Sequence, residues 1–299
     1  MSIQYPIDLH VHSTCSDGLE TPAELCEHAQ KLGIHTLALS DHDTLSGVAL
    51  MRDAIRELAQ RQPHRPPIRF LPSIELSTGD GGRAHLLGFG VDPENAALQQ
   101  CLEQIRQERA QRGRKMLERL RKQGITFPRE MEEQLSAPGT GRAHMARALC
   151  QIGVVHTMQH AFDRYLNRGC CAYVHRSYLP ISEGVRLLTQ AGGTVVLAHP
   201  CRLGLEFPAL AALVKELKDA GLSGLEAFHP SASRKQAPEL ASLARSLSLL
   251  ITGGSDYHGD PDTSVRLGRM PSGWNTLQSD LEALLAAMEA ANPGSTAQP

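Results

Sequence analysis

Several features are scarce in this 299-residue sequence, and each scarcity narrows what the chain can be. No run of about 18 apolar residues occurs, so no membrane-spanning helix is expected. Charge of one sign is not in excess, since the formal net charge is −2. A general binder of long nucleic acid would carry a strong basic surplus, so none is expected as a partner; a local basic pocket stays compatible. Aromatic residues make up only 4%, with one Trp, five Tyr and six Phe, so surfaces for stacking a base are few. The seven cysteines are odd in number and form no C-x-x-C pair. That removes the sequence signs of a disulfide framework or a cysteine zinc site and fits a reducing cytoplasm. The opening "MSIQYPIDLH" lacks the charged and apolar segments of a signal peptide. No internal repeat appears at the usual periods, and nothing signals an obligatory protein partner.

Hydrophobic content is 41% and charged content 21%, enough for one large α/β domain or for a domain with a sizeable insertion. Short apolar runs alternate with helical patterns. Thr21, Pro22 and Glu24 predict a capped helix start, and Gly33 its end. "HTLALSDHD", "IRFLPSIEL" and "AHLLGFG" read as strands, with a helix over about 45–61 between the first two. "GTVVLAHP", "LSGLEAFHP" and "LSLLITGGSDYH" are three more strands, each after a helical segment. This alternation implies a mainly parallel sheet, open or closed into a barrel. Residues 94–170 break the pattern with helical segments only, one from Asp92-Pro93 toward Gly124 and others near 142–152 and 156–166. The expected organisation is an α/β domain over 1–93 and 171–290, a helical cap insertion over 94–170, and a disordered tail over 291–299.

Fourteen histidines are many for such a chain, and several stand at strand ends. The first strand ends in His10 and His12, the second in Asp41 and His42, the third carries Glu75, and the fourth starts at His85. Later strands lead to His199, to His229, and to Asp256 with His258. Loops after strand C-termini build the active sites of parallel α/β folds, so these residues should converge on one face. Alternation along a strand puts both imidazoles of H-x-H on one side, and the same holds for the D-x-H at 256 and 258. So many imidazoles and carboxylates exceed the needs of one ion and suggest two or three. Such multi-metal sites fit hydrolysis of phosphate esters.

"DLHVHSTCSDG", "LALSDHDT", "IELSTGDGGRAHLLGFG", "VVLAHP" and "GGSDYH" resemble, in order, the motifs of the PHP (polymerase and histidinol phosphatase) family. The resemblance implies a distorted (β/α)7 barrel with a trinuclear centre. It assigns His10, His12, Glu75 and Asp256 to a first ion. Glu75 would bridge to a second, completed by His85 and His199. Asp17, His42 and His258 would hold the third. Manganese is the first expectation, with zinc, iron or magnesium as alternatives. The ions would activate water, so no protein nucleophile is expected. The insertion, with "GRAHMARAL" and "YLNRGCCAYV", resembles a bacterial branch that includes 3′,5′-nucleoside bisphosphate phosphatases and 5′-to-3′ exoribonucleases of short RNA. The expected activity is removal of the 3′-phosphate from compounds such as adenosine 3′,5′-bisphosphate. The rivals are an exoribonuclease, a histidinol-phosphate phosphatase and a catalytically idle accessory module. The partner expected is accordingly a small nucleotide or short RNA.

Other residues carry weaker readings. Asp8 either orients an imidazole or is an ordinary strand-end polar residue. Of Asp41 and Asp43, one would orient a ligand and the other would cap the helix starting near Thr44. Arg109 falls on an apolar stripe of the first insertion helix, pointing to a ligand or snorkelling. Arg142 and His144 stand at the start of a helix, where phosphate could bind; a plain loop–helix junction is the alternative. Arg202, His229, Ser231 and Arg234 lie near the rim and are candidates for substrate binding.

Overall fold

The computed structural model describes residues 7–261, 263–269 and 278–295. Elements follow in the order β1 (Ile7–Val11), α1 (Pro22–Lys31), β2 (Thr36–Leu39), α2 (Ser46–Arg61), β3 (Arg69–Thr78) and β4 (Ala84–Phe89), then four helices, α3 (Ala96–Arg121), α4 (Arg129–Leu135), α5 (Arg142–Gln151) and α6 (Met158–Ala161). The chain continues through α7 (Ile181–Gln190), β5 (Thr194–Leu197), α8 (Phe207–Asp219), β6 (Gly224–Phe228), α9 (Gln236–Ser246), β7 (Leu250–Gly253) and α10 (Gln278–Ala291). Two compact units result: Met1–Leu98 with Tyr178–Pro299, and Gln99–Ser177.

In the first unit the seven strands form one sheet in chain order. Strands β1 to β3 run parallel, as do β5 to β7; β4 is antiparallel to both neighbours. The edges meet where Val11 bridges Tyr257 in parallel register. There the His12 amide donates to the Tyr257 carbonyl at 2.9 Å, and the Asp256 amide to the His10 carbonyl at 2.9 Å. The sheet is therefore the expected α/β barrel, nearly closed, with one strand reversed. The reversal matters for the site. A reversed strand begins where the others end, so His85, the second residue of β4, lies at the same rim as His10 and His12 at the end of β1.

Local chemistry explains the elements. Thr21 Oγ1 accepts from the Glu24 amide while Glu24 accepts from the Thr21 amide, the reciprocal cap anticipated for α1. Leu25, Ala29, Met51, Ile55 and Leu58 bury the inner faces of α1 and α2 against Val11, Leu37 and Leu39. Leu281, Leu284 and Met288 of α10 join a second cluster with Ile7, Leu9, Leu87 and Val196. The cap expected near Thr44 takes another form: Leu45 is the N-cap without a side-chain bond. Asp43 instead accepts from the Ser77 amide at 2.7 Å and holds β3.

The disorder expected from 291 does not hold for residues 291–295. Ala291 ends α10, Asn292 Nδ2 donates to the Gly90 carbonyl at 2.8 Å, and Ser295 is buried with its Oγ donating to the Met288 carbonyl. Residues 296–299 of that expectation lie outside the described residues.

The helical unit spans Gln99–Ser177 rather than 94–170. Residues 92–98 stay with the barrel because the Asp92 amide bonds the Ala191 carbonyl, Asn95 Nδ2 bonds the Gln190 carbonyl and Leu98 is buried. Helix α3 starts at Ala96, later than Asp92-Pro93, with Asn95 Oδ1 accepting from the Leu98 amide. Ala172 and Val174 belong to the helical core with Met116, Leu120, Met145 and Leu149. Gly113 interrupts the apolar stripe of α3 because a Cβ there would lie 2.3 Å from the Leu135 carbonyl oxygen. The seven cysteines form no disulfide among the described residues.

Gly254 follows β7 at the closing seam, and a Cβ there would meet His10 Cβ at 2.1 Å. Gly254→Ala should lower unfolding stability by about 1–3 kcal/mol through overpacking. A denaturant midpoint equal to that of wild type would refute this account of the seam.

Candidate metal centre

Buried Glu75 is the hub. Its Oε2 lies 3.2 Å from His10 Nε2, 3.2 Å from His12 Nε2 and 2.9 Å from His42 Nδ1. Its Oε1 lies 2.7 Å from His85 Nδ1 and 2.8 Å from His199 Nε2. His12 Nε2 is also 3.2 Å from Asp256 Oδ1, and His258 Nε2 is 3.3 Å from Asp17 Oδ1. All nine residues assigned by resemblance are thus brought together, from β1, β3, β4 and the loops after β1, β2, β5 and β7.

Three groups of donor atoms converge closely enough to hold an ion: His10, His12, Glu75 and Asp256; His12, Asp17, His42 and His258; and His42, Glu75 and His85. The first matches the expected first set, and the second contains the expected third set with His12 added. In the remaining group His42 stands with Glu75 and His85, where His199 had been expected. His199 nevertheless touches Glu75, and its ring is 5.0 Å from that of His85.

The donors fit divalent ions on their own chemistry. His10 Nε2, both ring nitrogens of His12, His42 Nδ1 and Glu75 Oε2 are buried without a hydrogen-bond partner. Buried polar atoms are rarely left so. Here all of them except His12 Nδ1 converge on common points, as ligand lone pairs do. Second contacts fix several rings. His10 Nδ1 donates to Glu226 Oε1 at 3.0 Å, His85 Nε2 to the Gly82 carbonyl at 3.2 Å, and His258 Nδ1 to the Asp256 carbonyl at 2.9 Å. Each such bond leaves the other nitrogen facing the cluster.

Charge follows the same plan. Burial opposes ionisation of Glu75, but His42, His10 and His85 hold its carboxyl well below the usual range. Burial likewise opposes ionisation of Asp256 and Asp17, and neighbouring histidines outweigh it in both. Burial pushes the His199 imidazole down to about 4, so it is neutral at pH 7. Burial also opposes charging of His258, yet Asp17 and Asp256 raise it to about 9.

The surrounding carboxylates act on backbone more than on imidazoles. Asp8 accepts from the amides of Ser255, Gly268 and His10 and from Ser255 Oγ. Burial pushes its carboxyl up to about 6 against those donors. It ties the loop after β7 to β1 rather than orienting a ring. Asp41 accepts from the Ser13 amide, Ser13 Oγ and Ser16 Oγ, shaping the loop that carries Asp17. Among the described residues, three of the four non-glycine residues with positive φ are Asp43, His199 and Asp256. Strain of this kind persists where neighbours over-determine it.

Arg202 Nη1 lies 2.8 Å from Asp256 Oδ2 and stays half exposed, at the rim as expected. His229 is buried; its Nδ1 meets Ser231 Oγ at 2.7 Å and its Nε2 meets Asp256 Oδ2 at 3.3 Å. It therefore braces Asp256 rather than facing a substrate, and Ser231 braces it. Arg234 is exposed. In the helical unit, α5 does begin at Arg142, whose guanidinium sits 5.7 Å above the Phe162 ring. His144 Nδ1 accepts from the Gly141 amide, capping that helix. Arg109 lies beside Gly141.

Glu226 is the functional residue that sequence reasoning missed. It is fully buried on β6, bonds His10 through Oε1 and accepts from the His199 amide through Oε2 at 2.7 Å. The available signal was a lone carboxylate inside the apolar strand "GLEAF".

The PHP domain family profile matches residues 8–124. The 5′-3′ exoribonuclease Rnm of Salmonella typhimurium is 34% identical over 278 residues, covering 90% of this chain and 92% of that protein. The 3′,5′-nucleoside bisphosphate phosphatase of Chromobacterium violaceum is 34% identical over 255 residues, covering 84% and 87%. A solved structure of an amidohydrolase from Chromobacterium violaceum with bound sulfate matches with a TM-score of 0.79 at 32% identity, covering 93% of this chain and 96% of that one. Fold, donor set and relatives together define a metal-dependent phosphoesterase. The chain belongs to the PHP domain family. No helix among the described residues is long and apolar enough to cross a membrane.

Two outcomes follow from this geometry. In Glu226→Gln an amide NH2 facing His10 Nδ1 would move the ring proton onto Nε2, and the flipped amide would oppose the His199 N–H. Metal affinity should fall about 10- to 100-fold, measured by competition with a chromogenic chelator; unchanged affinity would remove the assigned role. Separately, His258 holds a proton below about pH 9 in the metal-free protein, while a ligating imidazole must be neutral. Loading should therefore release a proton at pH 7 and tighten as pH rises toward 9. Binding heats at pH 7 that do not vary with the buffer's ionisation enthalpy would contradict this.

Proposed function

We propose that this phosphoesterase removes the 3′-phosphate from nucleoside 3′,5′-bisphosphates, leaving the 5′-monophosphate. The observation that carries the chemistry is the cluster of five imidazoles on Glu75, with Asp256 and Asp17 beside it. Two or three divalent ions held there would supply Lewis acidity and an acidified water. Mixed imidazole and carboxylate donors suit manganese, with zinc, iron or magnesium as alternatives. His10, His12, Glu75 and Asp256 would hold one ion; Glu75, His85 and His199 a second; Asp17, His42 and His258 a third.

The chain's own groups do the rest. Glu75 keeps its carboxyl ionised with both oxygens turned into the cluster, and His199 stays neutral so that its lone pair is available. Glu226 fixes the His10 tautomer. Arg202, steadied by Asp256, still has guanidinium N–H groups for a non-bridging phosphoryl oxygen. The choice of a monoester is supported by the relative from Chromobacterium violaceum. The second reading, a 5′-to-3′ exoribonuclease on short RNA, is supported by the relative from Salmonella typhimurium at the same identity.

The test is phosphate release from adenosine 3′,5′-bisphosphate, beside a 5′-phosphorylated RNA tetramer and histidinol phosphate, with Mn²⁺ and with chelator. Mn²⁺-dependent release from the bisphosphate, faster than from the others, is the expected result. Glu75→Gln should lower kcat by about a hundredfold or more, beyond the 10–100-fold typical of groups that only support a ligand. Efficient cleavage of the tetramer with little release from the bisphosphate would replace the first reading by the second.

A further inference from the structure

Three polar side chains beside the donor cluster form a network that the chemistry described above does not use. Tyr257 stands between the candidate ligands Asp256 and His258, and its hydroxyl donates to Glu20 Oε1 at 2.6 Å. Glu20 also meets His28 Nδ1, at 3.1 Å from Oε1 and 3.2 Å from Oε2. The His28 ring lies edge-on to the Tyr257 ring, with centroids 5.8 Å apart. Both partners are anchored. Tyr257 belongs to the core that packs α1 and α2, and its carbonyl accepts from the His12 amide at 2.9 Å. His28 sits in the last turn of α1. Glu20 is thus gripped from two elements at once, by the stronger kind of hydrogen bond that a carboxylate accepts.

Glu20 ends the loop that carries Asp17. The loop leaves β1 through His12 and turns back on itself, with the Ser16 and Gly18 amides both bonding the Ser13 carbonyl. Gly18 permits this, since a Cβ there would lie 2.5 Å from the His12 carbonyl oxygen. Asp41 holds the near end through Ser13 and Ser16. At the far end the Thr14 amide bonds the Glu20 carbonyl at 2.9 Å, and the Leu19 amide bonds the His258 carbonyl at 2.8 Å. Asp17 lies between the two ends, its Oδ1 3.3 Å from His258 Nε2. A rim loop held by a few backbone bonds opens at little cost. A side-chain tie to a tyrosine set in the core raises that cost and fixes where the loop rests on its neighbour.

We propose that Glu20 is a positioning residue for the ion assigned to Asp17, His42 and His258, and that it acts through Tyr257. It keeps the Asp17 loop in register with the segment that carries His258, so that ligands far apart in the sequence meet at one point. The proposal rests on the reading of the cluster as a multi-ion centre.

Titration with Mn²⁺, followed by the paramagnetic resonance signal of the free ion, separates the binding steps. Asp17→Asn marks the step that belongs to this ion. Glu20→Ala should weaken that same step by about tenfold or more, the scale of an outer partner of a metal ligand, and leave the other steps at wild-type affinity. Glu20→Gln keeps an acceptor oxygen for Tyr257 and should stay near wild type. Tyr257→Phe should reproduce Glu20→Ala, and the double variant should be no weaker than either alone, because the two residues act as one unit. Wild-type affinity in Glu20→Ala overturns the proposal. Equal weakening of every step also overturns it, since that marks general damage to the barrel. Hydrogen exchange over residues 13–20 runs alongside, so that the metal reading can fail without deciding the tie. If wild type takes up no Mn²⁺, that reading falls; faster exchange confined to this loop in Glu20→Ala then upholds the tie, and unchanged exchange overturns it. If Tyr257→Phe melts early, Glu20→Ala against Glu20→Gln decides.

Discussion

One buried carboxylate meeting five imidazoles is the constraint on which the barrel's rim depends. Glu75 has no solvent contact, and a buried carboxylate costs several kcal/mol unless its environment answers the charge. The answer comes from every side: His10 from β1 and His12 just after it, His42 after β2, His85 from β4 and His199 after β5. No local segment could supply them, so the site exists only when the sheet curls enough to bring its edges together. Closure of β1 on the segment after β7 completes it by adding Asp256. Sheet closure and ligand assembly are therefore one event, and ions that bind the assembled cluster favour the closed sheet by mass action.

Around that hub lies a ring of groups that hold backbone in unfavourable shapes. Asp43, His199 and Asp256 all have positive φ, a conformation that non-glycine residues adopt at a cost. The structure answers each with a bond. Asp43 bonds the Ser77 amide, the His199 amide bonds Glu226, and the Asp256 amide bonds the His10 carbonyl. Asp8 and Asp41 gather the neighbouring loops through seven donor contacts. The carboxylates of the rim thus divide into those whose oxygens face the cluster and those that absorb the strain of aiming it.

How far the sequence revealed this follows from periodicity. H-x-H and D-x-H were legible because alternation along an extended chain fixes two side chains to one side, whatever the rest of the fold does. Glu75 and His85 were legible because a charge or an imidazole at the edge of an apolar run stands out. A mainly parallel sheet was legible from strand–helix alternation and its closure into a barrel only from the family resemblance; the reversal of β4 was not legible, since a hydrophobic run has no direction. Glu226 escaped because its meaning lies in contacts 216 and 27 residues away, with His10 and His199. One of Asp41 and Asp43 was expected at a helix cap because capping is a local rule; long-range bonds won instead, Asp41 accepting from Ser13 and Asp43 from the Ser77 amide. Arg266 and Arg269 sit in a segment without periodicity, and only the fold sets them across a cavity from Arg234.

The division between chemistry and selection follows from the same arrangement. A cluster of ions on imidazoles and carboxylates serves monoesters and diesters alike, so the centre does not choose its substrate. Choice must come from charges that touch parts of the substrate that do not react. Several arginines of the helical unit are already engaged within it: Arg112 Nε donates to the Val174 carbonyl, and Arg142 lies over Phe162. In the barrel unit the situation differs. Arg202 is tied to a candidate ligand, whereas Arg234, Arg266 and Arg269 are exposed and line a shared space. A phosphate that does not react makes contacts that form in the ground state and carry unchanged into the transition state. Such uniform binding lowers KM more than it raises kcat. Discrimination between a nucleotide with a 5′-phosphate and one without it should accordingly appear in KM, while the Glu75 cluster governs kcat.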